Sequence, residues 1–414
     1  MRTPLRQTAE RIVATLRDAG HVAYFAGGCV RDALMGVDPK DFDVATDATP
    51  DQVSGLFLRT KKVGAKFGVV MVRVGGHELE VATFRSEGDY ADHRHPGHVH
   101  FTTAEADANR RDFTINGMFF DPVANRVIDG VGGQADLQAR IIRAIGNPAD
   151  RFEEDHLRML RAVRFASRLG FTIEPATSEA IRRQAAGIRS ISAERIRMEL
   201  EQILQDANRE RGWRLLHAVG LSAFLVDGLT FSDDDIDQAA RRLAALPATA
   251  SFPLALAAIL HERTDPPARA VCIALRMSVA ETDCVTWLLQ KLPQGRDADR
   301  LELADVKLLR ADPRFEDLVA LLRAEAHAAG RASAAANTLA RRAAAMAPHA
   351  VSPAPFVNGD DLLARGVPQG PRLGRILETV FRAQLNEQIA NPEEALALAD
   401  RLIRDAAESP KSQD

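Results

Sequence analysis

Residues 24–44 read YFAGGCVRDALMGVDPKDFDV, and the fold of the chain turns on them. A short apolar run ends in Gly27 and Gly28, a candidate helix follows with Arg31 and Asp32, and a second extended run carries Asp41 and Asp43 two residues apart. Residues i and i+2 of a strand point the same way, so Asp41 and Asp43 present two carboxylates on one face while Phe42 and Val44 enter a core. Paired acids repel and call for a cation. The glycines let backbone approach a phosphate, and a helix opening there aims free N–H groups at an anion. Each feature alone reads as a turn or a solvated strand edge. Joined in one strand–helix–strand unit, they point to a site for Mg2+ and a nucleoside triphosphate.

The flanking elements build an α/β domain around this unit. Residues 5–19 carry Ile12, Val13 and Leu16 at helical spacing and stop at Gly20. Thr49-Pro50-Asp51 opens another helix with a cap and a proline at its first turn. The β-rich runs 69–74 and 78–84 are joined by Gly75-Gly76, a hairpin signal. Glu80 alternates away from Leu79 and Val81, and reaches Asp41 and Asp43 if the strands are neighbours. Residues 86–100 are polar and aperiodic, a loop whose His93, His95, His98 and His100 lack the spacing of a closed zinc site. Arg110-Arg111-Asp112 then precedes an apolar strand at 117–120, and Gly146-Asn147-Pro148 ends the domain.

Beyond residue 151 the pattern is almost entirely helical. Residues 152–169 read as one helix with Asp155, Arg158, Arg161, Arg164 and Arg168 at spacings of three and four, which by itself describes a salt-bridged solvent face. Further helices run to residue 347, a proline-rich connector spans 348–358, and Asn391-Pro392-Glu393-Glu394 starts the last helix.

Bulk properties bound the partners. The 414 residues suffice for two to four domains. The net charge is -4, from 53 Lys+Arg against 57 Asp+Glu, so a polyanion must meet a local basic face. Cys29, Cys272 and Cys284 are scattered, as expected of reduced thiols, and no run approaches membrane-spanning length. The expectation is a cytoplasmic protein with no membrane partner and an oligomeric state left open.

Five ordered motifs carry a resemblance. Gly27–Asp32 (GGCVRD), Asp41–Thr46 (DFDVAT), Glu80–Arg85 (EVATFR), Arg110–Asn116 (RRDFTIN) and Glu154–Phe165 (EDHLRMLRAVRF) resemble those of the bacterial class II tRNA nucleotidyltransferases and poly(A) polymerases. The resemblance implies an α+β protein: a nucleotidyltransferase head with a mixed β-sheet (1–146), then all-α neck (147–210), body (211–347) and tail (348–414), the last two holding tRNA. It implies that Asp41 and Asp43 bind Mg2+ and, with Glu80, serve catalysis. Gly27, Gly28, Arg31 and Arg111 are expected at the nucleotide, whose base meets Asp155 and Arg158, with Arg161 and Arg164 holding that geometry.

Base choice follows from hydrogen-bond chemistry. Cytosine and adenine present an amino donor beside a ring-nitrogen acceptor; uracil and guanine present the reverse. A carboxylate accepts and a guanidinium only donates, so Asp155 with Arg158 suits CTP and ATP and leaves UTP or GTP unpaired. CCA addition to tRNA is the expected reaction, with A-only addition and poly(A) synthesis as alternatives. The 86–100 loop, with Asp89, Tyr90 and Arg94, speaks against a CC-only enzyme, and the C-terminal AAESPKSQD is not the basic extension of many poly(A) polymerases. His261-Glu262 stands where some relatives carry a His-Asp hydrolase pair, and no hydrolase metal is expected there. Two intact aspartates disfavour a non-catalytic RNA-binding relative.

Overall fold

The computed structural model describes residues 3–62, 68–87, 99–263 and 266–408. It divides into two compact units, residues 1–240 with 270–277, and residues 241–269 with 278–414.

The first unit opens with α1 (Pro4–Asp18), capped by the Thr3 hydroxyl, which accepts from the Arg6 N–H. Its buried stripe of Ala9, Ile12, Val13 and Leu16 lies on a sheet. The elements that follow are β1 (Ala23–Ala26), α2 (Gly28–Leu34), β2 (Asp43–Thr46), α3 (Pro50–Leu56), β3 (Thr60–Lys61), β4 (Val69–Val74) and β5 (His77–Thr83). Next come the ribbon β6 (Arg85–Glu87) with β7 (Val99–Phe101), α4 (Ala104–Arg110), β8 (Phe119–Asp121) and β9 (Arg126–Ile128). Seven strands form one mixed sheet in the order β3-β4-β5-β2-β1-β8-β9. Only β2 and β5 run parallel, with Val44 beside Val81.

Strand alternation gives this sheet two different faces. Phe25, Val44, Val70, Val72, Leu79 and Val81 enter the core beneath α1 and α3. The opposite face shows Ala26, Ala45 and Ala82. Burying one face with large side chains fixes the register, and the small residues opposite leave space above the sheet.

Helix α5 (Gly133–Ala139) and β10 (Ile141–Ile142), which pairs with β11 (Thr172–Ile173), frame two helices that were expected as one. The chain forms α6 (Pro148–Glu154), breaks, and forms α7 (Leu157–Leu169). Asp155 is extended at the break (φ -151, ψ 101), so it does not share a helical face with Arg158. Its carboxylate accepts the Leu157 N–H at 3.0 Å and caps the new helix. Helix α7 buries Met159, Leu160, Ala162, Val163 and Ala166. It packs on α9 (Ala193–Leu204) and α10 (Arg209–Ala218), after α8 (Pro175–Gln184).

The second unit is helical. Phe252–Ile259, Val279–Arg296 and Phe315–Ala328 pack together, the long helix opening with a Ser278/Glu281 capping box. Pro371–Leu385 and Pro392–Glu408 share a separate apolar cluster around Leu362, Ile376, Val380 and Ala399. Among the described residues, no helix is long and apolar enough to cross a membrane.

Candidate active site

A cleft of about 520 Å³ opens over the alanine face of the sheet. It is lined by Gly27, Gly28, Arg31, Asp43, Glu80 and Arg111 from the sheet domain, and by Asp155, Leu157, Arg158, Arg161, Phe165 and Arg195 from the helices after it. Motifs more than a hundred residues apart thus face one space. Seven arginines and four carboxylates line it, a surplus of positive charge suited to a polyphosphate.

The acidic corner follows from strand pairing. Parallel pairing of Val44 with Val81 sets Asp43 beside Glu80, on the face that carries Ala45 and Ala82. Asp43 has its pKa pushed up to about 6. Desolvation by the surrounding protein is the first cause, although Asp43 keeps an exposed surface; the neighbouring Glu80 and Asp41 charges add to it, and Arg111 opposes it. Asp41 lies in the loop before β2, exposed, and does not line the cleft. The donors here are carboxylate oxygens crowded enough to hold a proton, a set that fits a hard divalent cation.

Gly27, Arg111 and Arg31 are locked by geometry. Gly27 has φ 70 and ψ -128, and a Cβ there would meet Arg111 Nη1 at 3.1 Å. Arg111 donates to Asp107 from Nε (3.1 Å) and Nη2 (2.9 Å) and lies over the Phe119 ring. Arg31, buried in α2, donates to Asp32 (2.6 and 2.8 Å) and to Asn116 Oδ1 (2.8 Å). Helix α2 has only seven residues, so its arginine rather than its dipole supplies most of the charge.

On the helical side, Asp155 is held at both oxygens, by the Leu157 N–H and by Arg195 Nη2 at 2.7 Å. Arg158 donates to Glu154 (2.5 Å), to the Arg151 carbonyl (3.2 Å) and to the Arg110 carbonyl (3.3 Å). Arg161 grips Asp112 with Nε (2.8 Å) and Nη2 (2.7 Å). Burial works against the Asp112 charge, yet Arg161 and the N–H groups of Asn116 and Phe113 keep its pKa below the usual carboxylate range. Arg164 is not among the cleft-lining residues; it donates to the buried Glu199 at 3.2 Å.

Gly27, Gly28, Arg31, Arg111, Asp155, Arg158 and Arg161 therefore meet in one cleft with Asp43 and Glu80, while Asp41 and Arg164 stand outside its lining. Asp107, Asp112, Asn116, Phe165, Arg195 and Glu199 were given no role by sequence reasoning. Asp112, Asn116 and Phe165 lie inside the recognised motifs, but nothing in a motif tells a residue that touches a ligand from one that holds its neighbour. Asp89, Tyr90, Arg94, His93, His95 and His98 of the loop lie outside the described residues.

Residues 23–143 match the family model described as "Poly A polymerase head domain", residues 170–231 "Probable RNA and SrmB- binding site of polymerase A", and residues 254–399 the second domain of tRNA nucleotidyltransferases. A CCA-adding enzyme of Geobacillus stearothermophilus is 35% identical over 401 residues, covering 95% of this chain and 96% of that protein. The chain belongs to the CCA-adding enzymes. It is a tRNA nucleotidyltransferase of the bacterial class II type. The CCA-adding enzyme of Bacillus subtilis is 48% identical over 195 residues, 47% of this chain and 49% of that protein. The crystal structure of the Bacillus stearothermophilus CCA-adding enzyme in complex with CTP superposes with a TM-score of 0.80 at 31% identity, covering 98% of this chain and 99% of that one. The α+β architecture is thus that of CCA-adding enzymes.

In the second unit, His261, Glu262 and Glu325 lie close enough to share a cation. A side-chain cation already sits among them. Arg296 donates to Glu262 at 2.8 Å and to Glu325 at 3.1 Å, and its Nη2 is 3.1 Å from His261 Nε2. That fixed positive charge opposes entry of a metal ion.

Proposed function

We propose that this chain adds CCA to the 3′ end of tRNA, using CTP and ATP, by attack of the RNA 3′-hydroxyl on the α-phosphorus with departure of pyrophosphate. The observation that carries this reading is one cleft in which the acidic corner at Asp43 and Glu80 faces the pair Asp155 and Arg158 across a field of arginines. Arg31 and Arg111 bind the triphosphate and neutralise charge on the departing oxygens, with no reorganisation because Asp32, Asn116 and Asp107 already hold them. Asp155 and Arg158, fixed by Arg195 and Glu154, pair with the base and exclude uracil and guanine. Orientation by these groups supplies most of the rate.

The resident metal in this reading is Mg2+, held by Asp41 and Asp43 with Glu80 alongside. When bound it lends Lewis acidity at the α-phosphate and lowers the pKa of the attacking hydroxyl. The chain's own part is to keep Asp43 and Glu80 side by side on the interior strands β2 and β5, with Asp41 in the loop just before β2. Head (1–146), neck (147–210), body (211–347) and tail (348–414) divide the work, the last two carrying the tRNA.

Replacement of the metal carboxylates tests the reading. Asp41→Ala and Asp43→Ala are expected to abolish labelled CMP transfer to tRNA while tRNA binding in a filter assay stays within about twofold. Retained turnover in either variant would remove that residue from the metal site.

A further inference from the structure

Phe165 is the one residue of α7 that three guanidiniums share. The Arg164 guanidinium carbon lies 4.6 Å from the ring centroid, that of Arg161 5.3 Å and that of Arg31 5.5 Å. The ring is buried apart from an edge in the cleft lining and is braced by Phe113, edge-on at 5.8 Å. Three like charges do not gather around one point unless something favours it there.

The arginines lean on different anions, although Glu199 lies within 3.8 Å of Arg161 as well as pairing with Arg164. Arg31 pairs with Asp32 on α2, Arg161 with Asp112 before the short Phe113 bridge, and Arg164 with Glu199 on α9. Among the described residues no carboxylate pairs with all three. Their common contact is the aromatic face, whose negative quadrupole attracts cations and does so more strongly where water is excluded. The ring also has few rotamers and no polar atom to satisfy, so it holds position in the absence of ligand. Arg31 faces the triphosphate side of the cleft and Arg161 the side of the base-reading helix. A shift of the ring would displace both.

We propose that Phe165 is a positioning residue for the nucleotide, its ring gathering Arg31, Arg161 and Arg164 so that the triphosphate-facing and base-facing arginines keep one register. This rests on the reading of the cleft as a nucleotide site. The ring acts through the arginines, and its contribution falls on nucleotide affinity more than on the chemical step. Leucine at this position keeps apolar bulk and loses the π face, so the arginines remain but lose their shared anchor.

The test uses the full-length protein and two kinds of change. Phe165→Leu is expected to raise KM for both CTP and ATP about tenfold, roughly the loss of two weak cation–π contacts, with kcat changed less than threefold. Incorporation at position 165 of phenylalanines carrying one, two and three ring fluorines keeps the shape and drains the quadrupole stepwise. KM, and the Kd for CTP measured by titration without tRNA, are expected to rise in the order of fluorination while the melting temperature stays level. A Kd indifferent to fluorination, or a Phe165→Leu variant that loses stability with unchanged KM and Kd, would overturn the proposal. Because CTP binding is read without turnover, failure of the wild-type protein to extend tRNA would count against the proposed reaction and leave the role of Phe165 to be judged by the titration.

Discussion

Two carboxylates lining the same cleft carry opposite perturbations. Asp43, though exposed at the start of β2, has its pKa pushed up to about 6 by the surrounding protein and by the nearby Glu80 and Asp41 charges, whereas Asp112 stays ionised below the usual range through Arg161. The sign of each effect fixes a prediction. A raised carboxylate pKa means that the folded state binds the proton more tightly than the unfolded chain, so ionising Asp43 costs the metal-free fold stability as pH rises from about 4 to about 6. Asp43→Asn is therefore expected to raise the melting temperature of the metal-free protein at pH 7; a fall would place the strain elsewhere. A divalent cation must displace that proton, so Mn2+ affinity measured by titration should weaken roughly tenfold between pH 7 and pH 5. The Asp112–Arg161 clamp contributes stability above the unfolded carboxylate pKa that is lost only below it, so it persists across this window. A pH-independent Mn2+ affinity would mean that Asp43 is not a ligand.

At the scale of elements, the break between α6 and α7 gives Asp155 two duties: it caps α7 through the Leu157 N–H and offers its other oxygen to the cleft, where Arg195 holds it. Asparagine can still cap, while alanine cannot. Asp155→Ala should lose about 1 kcal/mol of stability and relax discrimination against UTP and GTP, whereas Asp155→Asn should keep most of the stability and still alter base choice. Equal melting temperatures for both variants would refute the cap, and unchanged selectivity in both would refute base pairing. The break also shows where sequence reading stops. Asp155, Arg158, Arg161 and Arg164 keep helical spacing, and no glycine or proline interrupts them, so one helix was the expected form. The fold bends instead at Asp155-His156, where the buried His156 bonds to Ser190 and a Cβ on Gly187 would strike its ring. Such contacts are made more than 30 residues away and leave no local signal. The hairpin at Gly75-Gly76, the Thr49 cap and the hydrophobic stripe of α1 were legible because their causes are local. The approach of β5 to β2, which brings Glu80 to Asp43, could only be stated as a condition.

For the whole molecule, the net charge of -4 offers tRNA no general attraction. Binding in the proposed function rests on local arginines, so tRNA affinity should fall steeply between about 50 and 200 mM salt as measured by filter binding. A flat salt response would mean that the RNA is held by other than phosphate contacts. The cleft unites residues from both halves of the first unit, and in the proposed function that union makes a selective enzyme out of separately ordinary pieces. Stepwise extension tests it most directly, with tRNA transcripts ending at the discriminator base, at C and at CC, each given one labelled nucleotide at a time. The first transcript is expected to gain two CMP and then one AMP, the second one CMP and one AMP, and the third a single AMP. Extension of the CC-ended transcript alone, or long adenosine tails on unrelated RNA, would contradict CCA addition.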